Sequence, residues 1–421
     1  MSPSQRTPAA GPIADEPADL VDPLFWSGPH GDRVETFERL RAQPHPVLVQ
    51  QRMAGLSSAF GYYALVKHAD IVEVSRRPRD FSSTGATSIV GLPAELYEYY
   101  GSMINMDNPE HARLRRIVAR VFGRETVADF EAVADRVARQ IVDGLVARGP
   151  GDFVRPVAAE MPIAVLGAMM GIPTEDHDFL FVRTNQIAGP LDPAVASPEE
   201  DSNALVMRAS QDLGDYITEL GRERAARPRD DLITKLVRAE VDGEKLTRQE
   251  LVSFFILLVI AGMETTRNAI SHALVLLTRH PDQRELLLSD YPKYSAGAVE
   301  EVLRFATPIN WMRRVATRDC EMNGHRFRRG DRMFLFYWSA NRDEEVFADP
   351  YRFDITRAPN PHLAFGSLGP HFCLGAHLAR MEIGILYREL LRSLPGIRAD
   401  GEPRRLRSSF LEGITELRCT F

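Results

Sequence analysis

Cys373 closes a run of glycine, proline and aromatic residues, Phe365-Gly366-Ser367-Leu368-Gly369-Pro370-His371-Phe372-Cys373-Leu374-Gly375, and stands just before a segment of good helix formers. A cysteine at a helix N-terminus feels unpaired backbone N–H groups and the positive end of the helix dipole, and both favour the thiolate. Glycines around it let a flat ligand approach the backbone, which suits an axial ligand to haem iron. Three other chemistries compete. A lone cysteine can be an inert small hydrophobe. It can share a zinc site with His371 and His377, although no second cysteine or paired spacing completes that set. It can also be a nucleophile served by a histidine base elsewhere in the fold. Phe365 and the glycines favour haem, because they have a use only beside something large and planar.

A second group lies at Ala261-Gly262-Met263-Glu264-Thr265-Thr266. An acid and two alcohols interrupt an apolar helical stretch in which an unpaired carboxylate is costly. Gly costs about 1 kcal/mol there against Ala, and Thr diverts backbone hydrogen bonds. A satisfied polar turn is one reading, and a proton-handling pair is the other. Glu301 and Arg304 share a helical face at i,i+3, a spacing that usually gives a solvated surface pair. His111 and Arg115 share another face with Val118 and Phe122, whereas Arg113, Arg116 and Arg120 lie roughly 140–200° away from His111. One face therefore mixes apolar groups with two cationic donors, as a buried dianionic macrocycle needs. The other is basic, either plain solvated surface or a dock for an acidic electron donor.

Taken together, these stretches resemble the signatures of the cytochrome P-450 superfamily. His371-Phe372-Cys373-Leu374-Gly375-Ala376-His377-Leu378-Ala379-Arg380 matches its haem-binding motif. Ala261 to Thr266 matches its acid–alcohol motif, and Glu301-Val302-Leu303-Arg304, followed by Thr307-Pro308, matches its ExxR helix. The Cys loop departs from the usual bacterial form, because Ser367 and Leu368 both separate Gly366 from Gly369. A similar lengthened loop occurs in the actinobacterial members that oxidise sterols and methyl-branched lipids, which Arg267-Asn268 and Gly101 to Asp107 also resemble.

The resemblance implies haem b, with Cys373 as axial iron ligand in a loop that includes Phe365, Gly366 and Gly375. It implies His111, Arg115, Arg314 and His371 on the haem propionates. Thr265 would act at the dioxygen site, Glu264 would relay protons to it, and Ala261 would leave room for ligand. Arg352 would join Glu301 and Arg304 in a buried triad that holds the Cys loop. The substrate pocket would draw on Met103, Leu257, Ala261, Ile309, Trp311 and Phe410. The activity implied is hydroxylation of a steroid, terpenoid or branched lipid with O2. Two electrons would come from a ferredoxin, served by a ferredoxin reductase and ultimately by NAD(P)H. The alternatives are a tailoring oxidase of specialised metabolism, a haem-thiolate peroxygenase or a haem-based sensor. An intact Glu264/Thr265 pair weighs against the peroxygenase, since peroxide already brings the protons and the oxygen.

Positioning such groups needs a large frame. The chain has 421 residues, 44% of them hydrophobic, enough for a sizeable core. A net charge of −7 gives no global basic field for nucleic acid. Three cysteines are too few for a disulfide scaffold and fit a reducing cytoplasm. Residues 1–20, rich in Pro, Ala, Ser and Asp, are expected to form a disordered tail, and 21–421 a single domain. The longest apolar run, Phe254 to Met263, is short of the roughly 20 residues that span a bilayer, so a soluble, cytoplasmic protein without a membrane span is expected. Helical periodicity is clearest at 111–122, 125–147, 204–226, 247–280, 282–289, 294–305 and 374–392. Strand character is limited to 46–50, 60–66, 313–328, 332–337 and 405–421. The fold expected is mainly α with a small β-rich part. By resemblance it is a triangular helical prism with haem between the long central helix and the Cys-loop helix.

Overall fold

A computed structural model describes residues 19–421, apart from 52–59, 90–93, 120–121, 123–127, 129, 198 and 242–243. The central helix is opened by the expected capping box: the Thr247 hydroxyl accepts from the Glu250 N–H at 3.2 Å, and the Glu250 carboxylate accepts from the Thr247 N–H at 2.8 Å. It runs Arg248–Val259, widens into a π turn at Ile260–Glu264, and continues as Thr265–Arg279 ahead of Pro281. The uninterrupted α-helix expected over 247–280 is thus corrected by one turn. Two local causes are visible. The Thr265 hydroxyl donates to the Ala261 carbonyl at 2.5 Å, competing for an acceptor of the helix ladder. Gly262 lets the helix Glu160–Met170 come close, since a Cβ on it would stand 3.2 Å from Leu166 Cδ2. Arg248–Arg279 is the one described helix long and apolar enough to cross a membrane. It is the core helix of this fold, with Phe255, Val259, Ile270 and Leu274 each at most 1% exposed.

Helices Glu131–Arg148, Ser202–Ala226, Tyr291–Ala306 and Ala376–Ser393 surround it, each within a few residues of expectation where the start is described. The helix expected at 111–122 is described over Glu110–Ala119, and 120–121 lie outside the described residues. Helices His30–Arg41, His68–Arg76, Glu160–Met170 and His177–Ala188 were not among the clear sequence signals. The tail expectation is corrected at its end: Leu20 is fully buried, and its carbonyl accepts from the Trp26 indole N–H at 2.8 Å.

The β part is a five-stranded mixed sheet ordered Val47–Gln51, Phe60–Leu65, Arg332–Phe336, Trp311–Ala316 and Phe81–Ser82. The strand expected over 313–328 breaks into Trp311–Ala316 and a hairpin, Cys320–Met322 with His325–Phe327. The hairpin turns on Asn323-Gly324, both at positive φ, as an Asn-Gly turn requires. The C-terminal strand expected at 405–421 is two strands, Arg398–Arg405 and Ile414–Thr420, joined by a segment that returns to the interior.

That returning segment is tied to the N-terminal helix by a buried pair, Arg33 to Glu412 at 2.8 Å, and Arg405 also bonds Glu412. His272 of the central helix bonds the Glu412 carbonyl at 3.0 Å. Burial pushes the His272 imidazole down to about 4. Burial also opposes ionisation of Glu412, but Arg33, Arg405 and His272 outweigh it and hold that carboxyl at about 2. Unfolding frees both groups to bind protons at ordinary pH values, 6.5 for His272 and 4.5 for Glu412. The unfolded chain therefore binds more protons in acid. Stability is full above about pH 6.5 and falls through two windows, 6.5 to 4 from His272 and 4.5 to 2 from Glu412, by a few kcal/mol in all. Thermal melts from pH 7.5 to 4 should show a falling Tm, flattened above pH 4.5 in His272→Gln. An equally steep fall in that variant would place the acid sensitivity elsewhere.

Candidate active site

One interior cavity separates the central helix from the Cys loop, and Cys373, Phe365, Gly366 and Leu374 form its floor. The loop is built from its own backbone: Gly366 N–H donates to Leu363 O at 2.9 Å and Cys373 N–H to Phe365 O at 3.0 Å. Gly366 sits at φ +75°, which suits a residue without a Cβ. Gly369 rests on the end of the helix His68–Arg76, where a Cβ would come within 2.3 Å of the Ser75 carbonyl. The following helix starts at Ala376, not at 374. Cys373 therefore stands three residues ahead of the first helical turn, because Leu374 and Gly375 complete the loop. Burial pushes its thiol up, against opposing pulls from the Gly375 backbone N–H and the charges of Arg115 and Arg380. The helix terminus alone does not make the thiolate, as the sequence had suggested.

Three residues outside the expected set, Arg380, Glu300 and His362, stiffen this floor. Arg380 lies over the Phe365 ring at 4.4 Å and forks onto Glu300 with bonds of 2.5 and 2.9 Å. His362 bonds the same carboxylate at 3.0 Å. Burial works against the Glu300 charge, but Arg380 and His362 hold its carboxyl at about 2. Only the helical positions of Glu300 and Arg380, facing each other across two elements, could have signalled the pair.

At one edge of the cavity His111, Arg115, Arg314 and His371 converge. The His111 and His371 rings are 4.3 Å apart, and His111 Nε2 is buried with no hydrogen-bond partner. Arg115 donates to the Phe372 carbonyl at 2.7 Å, and Arg314 only to the Arg313 carbonyl at 2.8 Å. None of the four is ion-paired with a carboxylate among the described residues. Burial lowers all four, most of all His371, which falls to about 2 under burial and the charges of Arg314, His111 and Arg115. Two arginines without counter-ions, beside two buried imidazoles able to donate hydrogen bonds, fit a ligand that brings two negative charges to this edge, as the haem propionates would. Cys373 on the floor and the near approach of Gly366 complete the fit. Among the described residues no three His, Cys, Asp or Glu side chains gather as metal ligands, so the sequence alternative of a zinc set finds no geometry. The basic face is less open than the sequence implied, since Arg113 pairs with Glu250 of the capping box. Arg120 lies outside the described residues.

The roof is the widened turn of the central helix. Ala261, Gly262, Thr265 and Thr266 line the cavity. Glu264 does not. Its carboxylate turns to Arg267 at 2.6 Å, both side chains being almost wholly buried, and Arg267 donates onward to Asn185 at 2.8 Å. Burial pushes the Glu264 carboxyl up, while Arg267 and a hydrogen bond from Thr184 pull it down. The acid and the alcohol expected to work together are adjacent in the chain and face different sides of the turn.

Behind the floor, Glu301 and Arg304 form a fork of two 2.8 Å bonds, both residues fully buried. The third member differs from expectation. Arg352 is exposed and offers only its carbonyl, which accepts from Arg304 at 3.2 Å and from Arg357 at 3.0 Å. The second guanidinium on Glu301 is that of Arg357, at 3.3 Å, joined by the Asp354 N–H and the Asn360 amide at 3.0 Å each. The chain turns at Asp349 to Arg352, leaving the Arg352 side chain outward, and returns to the carboxylate five residues later.

Of the expected pocket residues, Met103, Leu257, Ala261 and Ile309 line the cavity. Trp311 and Phe410 do not. Trp311 is 1% exposed in a separate aromatic core, with Phe410 at 5.1 Å and Phe334 at 4.8 Å. Side chains alternate along a strand, so Met312 and Arg314 face the cavity while Trp311 and Arg313 turn away. Ala86, Ile104 and Pro308, which the sequence did not single out, also line it.

The model of the family described as Cytochrome P450 matches residues 180–290 and 293–396. A methyl-branched lipid omega-hydroxylase of Mycobacterium tuberculosis is 43% identical over 418 residues, covering 98% of this chain and 96% of that protein. A steroid C26-monooxygenase of Rhodococcus jostii is 37% identical over 430 residues, covering 99% of this chain and 87% of that protein. The solved structure of a Mycobacterium marinum cytochrome P450 in complex with pseudoionone has a TM-score of 0.92 at 37% identity, covering 98% of this chain and 100% of that one. Agreement of this extent, from end to end and in three dimensions, leaves one family to which the chain belongs: it is a cytochrome P450, a haem-thiolate monooxygenase that works with dioxygen, an outside redox partner and an apolar substrate.

Proposed function

We propose that this enzyme hydroxylates the end of a branched hydrocarbon chain, on a methyl-branched lipid or a steroid side chain, with electrons from a ferredoxin and its reductase. The observation that carries the reading is the cavity wall above the floor. Ala86, Met103, Ile104, Leu257, Ile309 and Met312 are all apolar, and Thr265 and Thr266 bring the only hydroxyls of the roof. The wall therefore favours hydrocarbon near the reacting centre, because away from Thr265 and Thr266 a polar group would be left unpaired there. Two of the related proteins are named for oxidation at an omega position and at C26.

Cys373 would hold the iron, and His111, Arg115, Arg314 and His371 would hold the propionates. Haem, when bound, supplies the redox iron at which one oxygen atom enters a C–H bond and the other leaves as water, using two electrons and two protons. Thr265 already spends its hydroxyl proton on the Ala261 carbonyl, so its lone pairs are left to accept a hydrogen bond from a water or substrate oxygen in the cavity. Glu264, whose carboxyl is raised by burial, holds a proton more readily than a solvated acid and stores it one residue from Thr265. The redox partner would meet the face near Arg113 and Arg116.

Spectral titration of the ferric protein with branched fatty acids, sterols, terpenoids and macrolides tests the substrate class. A low-to-high-spin shift with branched lipids or sterols, and a terminal alcohol as product, is expected. A shift with macrolides alone would replace this reading with that of a tailoring oxidase. Thr265→Ala should cut product formed per electron pair about 100-fold with the reductase system, while peroxide-driven turnover is largely kept. Equal losses under both conditions would remove Thr265 from proton handling.

A further inference from the structure

We propose that Glu412, which does not touch the cavity, is a positioning residue that sets which carbon of the substrate is oxidised. The inference rests on the hydroxylase reading above. Ile309 and Pro308 form part of the apolar wall, yet they belong to no regular sheet. They are held by the returning segment at 408–412. Ile309 pairs with Leu411 in an isolated bridge, Asn310 N–H donates to Phe410 O at 2.8 Å, and Glu412 N–H donates to Pro308 O at 3.0 Å. The place of the wall therefore follows the place of that segment.

Glu412 fixes the segment on three further sides. Its carboxylate takes Arg33 of the N-terminal helix at 2.8 Å and Arg405 of the C-terminal strand. Its carbonyl takes His272, one turn along the central helix from Ala269, which lines the cavity on the roof side. A fourth tie follows two residues on, where Ile414 N–H donates to Asn268 at 3.1 Å. Wall and roof are thus tied to each other through the returning segment, with Glu412 bonded to both.

The charges explain why this residue has to be an acid. Arg33 is fully buried between the Trp26 and Trp338 rings, at 5.6 and 5.3 Å, and its Nε and Nη2 have no hydrogen-bond partner. Arg342, also buried, lies 4.0 Å from the centroid of the same Trp338 ring. Glu412 is the carboxylate that neutralises Arg33 and Arg405 together. Without its charge the cations repel one another, and the segment that carries the wall shifts. Neighbouring carbons of a hydrocarbon chain are one bond length apart, and the C–H bonds next to a branched chain end are weaker than the terminal ones, so only placement can favour the end. An ångström of misplacement can change a rate about 100-fold, so such a shift is read out as a change in product ratio.

The test is the ratio of terminal to adjacent-carbon alcohol from any substrate that the wild-type enzyme oxidises, in Glu412→Gln and Glu412→Asp. Glu412→Gln should change the ratio at least about fivefold with haem content kept, and Glu412→Asp, which keeps the charge, should restore most of it. If Glu412→Gln does not fold, Arg405→Gln, which perturbs the same carboxylate from the surface side, should move the ratio in the same direction. A lowered Tm with an unchanged ratio in a folded variant would overturn the proposal and leave Glu412 as a stabilising residue. Failure of the branched-lipid reading shows separately, as absence of turnover of lipids and steroids by the wild-type enzyme.

Discussion

Replacing Cys373 with serine should give a folded protein that no longer hydroxylates. The loop does not depend on the sulfur: its ladder is made by the backbone bonds of Gly366 and Cys373, and it is braced from outside by Arg380 and Gly369. Serine is close in size and keeps the backbone N–H. What it would lose is the thiolate that, by the proposed function, would hold the haem iron as a soft, electron-rich ligand. Losing an outer-shell partner of a metal site costs 10–100-fold, and removing the ligand itself should exceed the top of that range. Far-UV circular dichroism, haem content and the spectrum of the reduced carbon monoxide complex separate folding from ligation. Hydroxylation within about tenfold of wild type in Cys373→Ser would remove Cys373 from the reaction.

Glu301→Gln should be the most destabilising single change in the frame. Glu301 accepts from Arg304, Arg357, Asp354 and Asn360, and its side chain is entirely buried with that of Arg304. Removing one partner of a buried pair leaves an uncompensated charge and costs about 3–5 kcal/mol, a large share of the 5–15 kcal/mol that holds a typical domain together. Poor haem retention and a lowered unfolding midpoint in urea are expected. The same measurement checks the third member of the network. Arg357→Ala should cost clearly more than Arg352→Ala, whose exposed side chain should matter by no more than about 0.5 kcal/mol. The reverse order would restore Arg352 to the triad.

The contrast between those arginines shows where sequence reasoning stops. Thr247, Glu250 and Pro281 carry local signals, and the helix they bound is where they put it. The Cys loop and the Glu264–Thr265 step stand out in the sequence because their residue types are compressed into a few adjacent positions, although of that pair only Thr265 lines the cavity. Which arginine returns to Glu301 depends on the path of a turn through Asp349 and Pro350, and no spacing rule encodes that path. Trp311 was misplaced for a related reason: on a strand one step of register exchanges the two faces, so Met312 faces the cavity and Trp311 leaves it. Glu300 with Arg380, and Arg33 with Glu412, pair residues far apart in the chain, so neither leaves a periodic trace. The direction of the Glu264 side chain was hidden as well, because it follows from a turn that is not α-helical.

That turn has a consequence for how the enzyme can vary. A π turn acts as one residue inserted into an α-helix, and it puts the two halves of the central helix about 100° out of phase. Arg248–Val259 and Thr265–Arg279 can therefore each keep an unbroken apolar stripe towards different neighbours, while the strand of backbone between them is free to open onto the cavity. A chain shortened by one residue between Ile260 and Glu264 would still form a regular helix, with every local preference met. It would rotate Thr265 off the roof, so the helix would survive while the cavity lost that hydroxyl.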